Sequence, residues 1–240
     1  MLIINTSNNP DREVALHTAE ALESSLLQKK NVLWTLAGGS AINYYGIMPE
    51  MLHFERDFSR LTIALGDERY SKDPYHKDAS WPLYKELDLF KTLVSKGATF
   101  YNLLSGSTVE GEATRFDSFL KEQIKYNSDI IVNLGIGMDG HTAGIIPMEN
   151  EKDFDNIYKS ERDAVSHDKG GSHPLRITIT PSFIGKASRL LVYAVGEEKK
   201  SILSRLREYS ERKREVNIST FPAIVLANNS AEIFTDQEIT

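Results

Sequence analysis

The hydrophobic positions of this chain fall into short apolar runs separated by longer amphipathic ones. Residues 11–30 place Ala15, Leu16, Ala19, Leu22 and Leu26 on one stripe at helical spacing, which predicts a first helix. NVLWTLAGGS (31–40) follows as a strand that breaks at two glycines. RLTIALGDERY (60–70) repeats the pattern and ends in a cluster of charge. Phe116, Phe119, Leu120 and Ile124 predict a second helix over residues 109–126. SDIIVNLGIG, LRITIT, RLLVYAV and FPAIVLA are then short apolar runs rich in β-branched residues, and they read as strands. Strands separated by helices imply an α/β fold, a single domain over 1–240 whose mostly parallel, doubly wound sheet carries helices on both faces. Neither an internal repeat nor a linker divides the chain. The polar stretch 148–174 is the exception. Its charges and the Gly170-Gly171 pair predict surface structure, a flap more mobile than the sheet that orders over a bound ligand.

In a sheet of this kind the carboxyl ends of the strands form the ligand crevice. Here those ends carry GGS at 38–40, DER at 67–69, GIGMDGH at 135–141, Arg176, and GEEK at 196–199. A sheet serving only as a scaffold has no need for glycine or charge at five strand ends. The composition narrows what such a crevice binds. With 240 residues, 40% of them hydrophobic, the chain can bury one sizeable core. A formal net charge of −6 argues against nucleic acid as a partner, since phosphate neutralisation needs a basic surface. The one basic run, Arg212-Lys213-Arg214, reads as a solvated helix end or loop. Cysteine is absent, which rules out disulfides and thiolate metal sites and suits a reducing cytoplasm. The first residues, MLIINTSNNPDREVA, lack a signal-peptide pattern, and no apolar run approaches a membrane span. The expectation is a soluble, cytoplasmic protein.

Gly38, Gly39 and Ser40 can offer backbone N–H groups and a hydroxyl to an anion at a helix start, or form an ordinary tight turn. Gly135, Gly137 and Gly140 spell GxGxxG, which raises a dinucleotide site as a competitor. The residues that follow are His, Thr and Ala, however, and no acidic residue for a ribose stands at a strand end about twenty positions on. Arg69 suits a phosphate through its planar fork of donors, but Asp67, Glu68 and Arg69 also fit an ordinary ion-pair cluster. Arg176 and Lys199 carry the same two readings. His141 is the strongest single candidate, a general base oriented by Asp139 two residues earlier. The competing reading is a histidine tied into its turn by hydrogen bonds. His17, His53, His76, His167 and His173 lack a comparable glycine setting and form no metal-ligand pattern.

LAGGS, GDERY, GIGMDGHTAGIIP, RITIT and GEEK, in this order and spacing, resemble the 6-phosphogluconolactonases, whose superfamily includes the glucosamine-6-phosphate deaminases. The likeness runs from about Leu33 to Ile233. Arg69 and Thr142 favour the lactonase side, since the deaminases typically have DEY and GHIAF there. The resemblance implies hydrolysis of 6-phosphoglucono-1,5-lactone in the oxidative pentose phosphate pathway, with no metal or organic cofactor. It implies His141 as the base activating water and Asp139 as its acidic neighbour. Arg69 and Lys199 would hold the anionic substrate, with Gly38, Gly39, Ser40, Asp67, Gly137 and Arg176 lining the site. A small sugar phosphate would be the partner, neither nucleic acid nor membrane, and the protein a monomer or small homo-oligomer. Two departures stand out. The chain has GGSAI where the family usually has GGSTP, and Ser80-Trp81 where an SN pair is common; Trp81 is expected to cover an apolar part of the site. The rival enzyme reading is a glucosamine-6-phosphate deaminase, with Asp67 as proton carrier between C1 and C2. A non-catalytic sugar-phosphate-binding protein is the third, supported only by the altered GGSAI loop.

Overall fold

The computed structural model describes residues 2–126, 128–168, 175–212 and 216–239. Among these, seven strands form one parallel sheet: β1 (Ile3–Thr6), β2 (Val32–Leu36), β3 (Leu61–Leu65), β5 (Thr99–Phe100), β6 (Asp129–Gly135), β9 (Arg189–Tyr193) and β10 (Glu232–Thr235). Their spatial order is β1-β10-β9-β6-β2-β3-β5, with every pairing parallel. From β2 the chain first builds outward through β3 and β5. It then returns to the other side of β2 and builds the opposite way through β6, β9 and β10. The reversal between β2 and β6 is the topological switch point, where loops leaving adjacent strands diverge and open a crevice.

Helix α1 (Pro10–Leu27) starts where Asn9 accepts the Arg12 N–H at 3.3 Å, with Pro10 in the first turn. It packs across β2, β6, β9 and β10. The stripe it buries is Val14, Ala15, Thr18, Ala19 and Leu22, while Leu16, expected on that face, is exposed. The helix predicted over 109–126 is α5 (Val109–Lys125), capped by Thr108 and buried through Phe116 and Leu120. It lies against a second sheet that the hydrophobic pattern did not predict. This sheet has three antiparallel strands: β4 (Asp67–Arg69), β8 (Leu175–Ile179) and β7 (Ala164–Asp168), in the order β4-β8-β7. DER and LRITIT thus belong to a separate layer and are not ends of the parallel sheet.

Two other expectations are corrected. FPAIVLA holds no strand; it folds as a turn and the short helix α9 (Ile224–Asn228). Residues 221–226 are all buried, and a continuous apolar run fits a buried helix as well as a buried strand. The last strand is β10 instead, whose short EIFT gives little periodic signal. The polar stretch 148–174 lies at the surface as expected, but its described part is regular structure packed on one face and not a loose loop. Asn150 caps α6 (Glu151–Tyr158), which buries Phe154 and Tyr158, and β7 buries Ala164, Val165 and His167. Gly170, Gly171 and His173 lie outside the described residues. So do Lys213 and Arg214, whereas Arg212 ends α8 (Lys200–Arg212).

At the centre of the parallel sheet the fully buried Asn133 joins three elements. Its Oδ1 accepts from Trp34 Nε1 on β2, and its Nδ2 donates to Thr18 Oγ1 on α1 at 3.1 Å. Buried polar groups hold their place only when they are paired. Asn133→Ala leaves an indole N–H and a hydroxyl without partners and opens a small cavity. It is expected to cost about 2–4 kcal/mol, measured as a lower urea midpoint with an unchanged slope.

Candidate active site

Between β2 and β6, facing the small sheet, lies a cavity of about 290 Å³. Its lining includes Gly38 and Gly39 after β2, Gly137 and His141 after β6, Asp67 and Arg69 on β4, Arg176 on β8 and Lys199. Nine of the ten residues singled out by sequence thus gather at one place, with Asp139 joining through His141. Ser40 is the exception, exposed on the 3-10 turn Gly39–Ala41 and outside the lining. A larger open groove of about 720 Å³, between α6, α8 and α9, holds none of the candidates.

The loop after β6 is built around its histidine. Gly137 N–H donates to the His141 carbonyl at 2.8 Å, and Gly140 N–H to the Gly137 carbonyl at 3.0 Å, closing a tight turn. A Cβ on Gly137 would overlap the His141 ring and the Asp139 carboxylate. Gly140 has φ +88°, and a Cβ there would stand 2.6 Å from Phe221 Cδ2. Thr142 then anchors the loop back on β6, donating to the Gly135 carbonyl at 2.9 Å. No helix begins within this turn; the chain passes through an isolated bridge between Thr142 and Ile145, and α6 starts only at Glu151. That excludes the dinucleotide fingerprint, which needs a helix N-terminus at the glycines.

Asp139 Oδ1 accepts both the His141 backbone N–H at 3.1 Å and the ring Nδ1 at 2.6 Å. Burial pushes the Asp139 carboxyl up. The backbone N–H, the imidazole charge and the ring hydrogen bond together outweigh it and hold the carboxyl below its ordinary value. An ionised carboxylate only accepts, so Nδ1 carries a proton, and in the neutral ring the lone pair is then on Nε2. The reading of His141 as a residue tied into its turn by hydrogen bonds is met, and the tie is made through Nδ1, so Nε2 is not engaged by Asp139.

Across the cavity, Arg69 and Arg176 are register partners on β4 and β8. Arg176 Nη1 is bound to Asp67 Oδ2 at 2.9 Å in a largely buried ion pair. Arg69 Nη1 has a long contact, 3.4 Å, to the Asp78 carbonyl. Lys199 closes the 3-10 turn Glu197–Lys199 after β9. Among the described residues no group of three or more His, Cys, Asp or Glu is arranged to hold a metal. No helix among them is long and apolar enough to cross a membrane.

Glu68 is the lining residue that the sequence reading passed over as part of an ion-pair cluster. It is 2% exposed and accepts three backbone N–H groups: Arg69 at 2.9 Å, Ser80 at 2.7 Å and Trp81 at 3.0 Å. Burial pushes its carboxyl up to about 7 against those three donors. The strand period could have flagged it, since in β4 residue 68 points opposite to 67 and 69. The expectation for Trp81 is also corrected. Its ring does not line the cavity but is buried 5.3 Å from Phe100, while Ser80 is the member of the pair at the wall.

Residues 6–234 match the family described as glucosamine-6-phosphate isomerases/6-phosphogluconolactonase. A probable 6-phosphogluconolactonase 1 of Oryza sativa subsp. japonica is 26% identical over 210 residues, covering 82% of this chain and 69% of that protein. A 6-phosphogluconolactonase of Neisseria meningitidis serogroup B is 26% identical over 204 residues, 83% of this chain and 84% of its own. The solved 6-phosphogluconolactonase of Shewanella baltica OS155 has the same fold, with a TM-score of 0.79 at 21% identity over 98% of this chain and 97% of that one. By its sequence from residue 6 to residue 234, this chain belongs to the glucosamine-6-phosphate isomerase/6-phosphogluconolactonase family.

Proposed function

We propose that this chain is a 6-phosphogluconolactonase, hydrolysing 6-phospho-D-glucono-1,5-lactone to 6-phospho-D-gluconate in the oxidative pentose phosphate pathway. The observation that carries this reading is the Asp139–His141 pair, whose hydrogen bond engages Nδ1 and not Nε2, at the wall of a cavity lined by Arg69 and Lys199. Nε2 takes a proton from water as the water oxygen attacks the lactone carbonyl carbon. Asp139 stabilises the imidazolium that forms. The tetrahedral centre collapses, the bond from the carbonyl carbon to the ring oxygen breaks, and that oxygen leaves as a hydroxyl after taking the proton from His141. Arg69 and Lys199 hold the phosphate, while the Gly38–Gly39 loop offers backbone donors beside them. The same reading makes the chain one domain over 1–240, cytoplasmic and a monomer or small homo-oligomer, with a small sugar phosphate and not nucleic acid as its ligand.

The ion pair at Asp67 separates this reading from the deaminase one. An aldose–ketose isomerisation would need Asp67 as a free proton carrier between two carbons. Here it is bound to Arg176 at 2.9 Å, and both side chains are largely buried. Incubation with glucosamine 6-phosphate is expected to release no ammonia, and release at a rate comparable to lactone hydrolysis would reverse the choice.

His141→Asn keeps a side chain of similar size that cannot accept the proton. It is expected to lower kcat at least ~100-fold while 6-phosphogluconate still binds, measured against the spontaneous hydrolysis of fresh lactone. Near-normal turnover in the folded variant would place the base elsewhere. Arg69→Ala and Lys199→Ala each remove a charge-assisted contact and are expected to raise KM by about one to two decades. Wild-type KM in both would remove them from phosphate binding. Glu68 gives the pH dependence. Its carboxyl, pushed up to about 7, becomes anionic as pH rises through that value and opposes a phosphate dianion in the same cavity. KM is expected to rise about three- to tenfold between roughly pH 6.5 and 8.5 in the wild type, and to change less in Glu68→Gln. Parallel pH profiles for the two proteins would exclude the effect.

A further inference from the structure

The Gly38–Gly39 loop has no side chain with which to hold its own place, and a Cβ built on either glycine would meet nothing within 4 Å. What fixes it lies one residue back, at Ala37. The Ala37 N–H donates to Tyr45 Oη at 3.0 Å, and Tyr84 Oη donates to the Ala37 carbonyl at 2.7 Å. Tyr44 Oη donates in turn to Tyr45 Oη at 3.0 Å. The three rings are buried and packed together, Tyr44 against Tyr45 at 4.3 Å and Tyr45 edge-on to Tyr84 at 5.5 Å. Burial pushes all three phenols up, so they keep their protons and Tyr84 remains a donor.

Tyr84 belongs to α3 (Ser80–Lys85). The N–H groups of Ser80 and Trp81, at the start of the same helix, are held by Glu68, which also accepts the Arg69 N–H. One short helix therefore grips the glycine loop at one point and the strand carrying Arg69 at another.

We propose that Tyr84, together with Tyr45, is a positioning residue for anion recognition: by clamping the backbone of Ala37 it sets the Gly38–Gly39 loop against Arg69, so that a phosphorylated sugar acid or lactone meets both at once. The proposal rests on the cavity taking a sugar phosphate, as in the lactonase reading. Removing the Tyr84 hydroxyl leaves a buried carbonyl unpaired, and the loop shifts to recover a partner. Such a shift acts on binding before chemistry, because His141 is held by its own turn on β6.

The test is Tyr84→Phe, assayed by calorimetric binding of 6-phosphogluconate and by lactone hydrolysis. Binding is expected to weaken about tenfold and KM to rise alike, with kcat within about threefold of wild type. Tyr45→Phe, which leaves the carbonyl contact in place, carries the same test if the first variant folds poorly. The double variant is expected to lose less than the sum, since both hydroxyls act through one residue. Tyr101→Phe removes a buried hydroxyl outside the cavity lining and is expected to change neither constant. A Tyr84→Phe protein that melts lower yet binds 6-phosphogluconate like wild type overturns the proposal and leaves the lactonase reading standing. If the wild type binds 6-phosphogluconate, and Tyr84→Phe binds it more weakly, without any catalysed lactone hydrolysis, the clamp stands and the lactonase reading falls. A wild type that binds no 6-phosphogluconate and catalyses no hydrolysis overturns both.

Discussion

The cavity at the switch point depends on one residue that is hydrogen-bonded to two sheets. Gly66 ends the run of β3 in the parallel sheet, and its N–H donates to the Leu36 carbonyl on β2 at 2.9 Å. Its carbonyl accepts the Ile179 N–H from β8 of the small antiparallel sheet, also at 2.9 Å. A Cβ here would meet the Leu36 carbonyl oxygen at 3.3 Å, so a side chain would have to push that backbone group aside by a few tenths of an ångström. Through this junction β4 is set opposite the switch point between β2 and β6. The loops after those two strands thus face Asp67, Arg69 and Arg176 across a fixed gap.

The charges in that gap are not equivalent, although the sequence presents them alike. Arg69 and Arg176 stand in register on neighbouring antiparallel strands, where two like charges side by side repel. Asp67 relieves this by pairing with Arg176, while the Arg69 guanidinium makes a long contact to the Asp78 carbonyl. The assignment follows from geometry. Asp67 is in register with Thr178, two residues along β8 from Arg176, so the two side chains share one face of the small sheet. One arginine is consumed in holding the sheet together, and the other, with Lys199, leaves positive charge facing the cavity.

Most of the cavity was legible in the sequence because strand ends concentrate function in an α/β sheet. Glycine pairs and charges at 38–40, 67–69, 135–141 and 199 could be read without knowing how the strands were ordered. Three kinds of feature were hidden. The small sheet was hidden because DER is three residues long and LRITIT has the same β-branched character as a parallel-sheet strand. FPAIVLA was misread because a fully buried run shows no period, and Pro222 at its start suits a helix turn as well as a strand boundary. The segment 148–174 looked solvated because its charges outnumber its apolar residues. The few that are apolar, Phe154, Tyr158 and Val165, suffice to bury one face each of α6 and β7. Ser40 shows the limit of motif reading: the loop carries it past the cavity on a 3-10 turn and leaves only backbone at the wall.

Glu68 shows how the fold accommodates a buried acid at the cavity wall. A buried carboxyl without partners would cost several kcal/mol, yet this one accepts from Arg69, Ser80 and Trp81. The first two amides of α3 are therefore already occupied, and a ligand anion cannot use them. The cationic side chains of Arg69 and Lys199 and the open backbone at Gly38 and Gly39 are what the cavity wall still offers an anion. The carboxyl also closes the segment from Glu68 to Ser80 into a ring, so Arg69 is carried on a strand anchored at both ends of that ring. The acid at the cavity wall thus fixes the backbone of the arginine beside it. The acid's value of about 7 reflects a tension: burial favours the neutral acid, while the three amides that make it useful favour the anion.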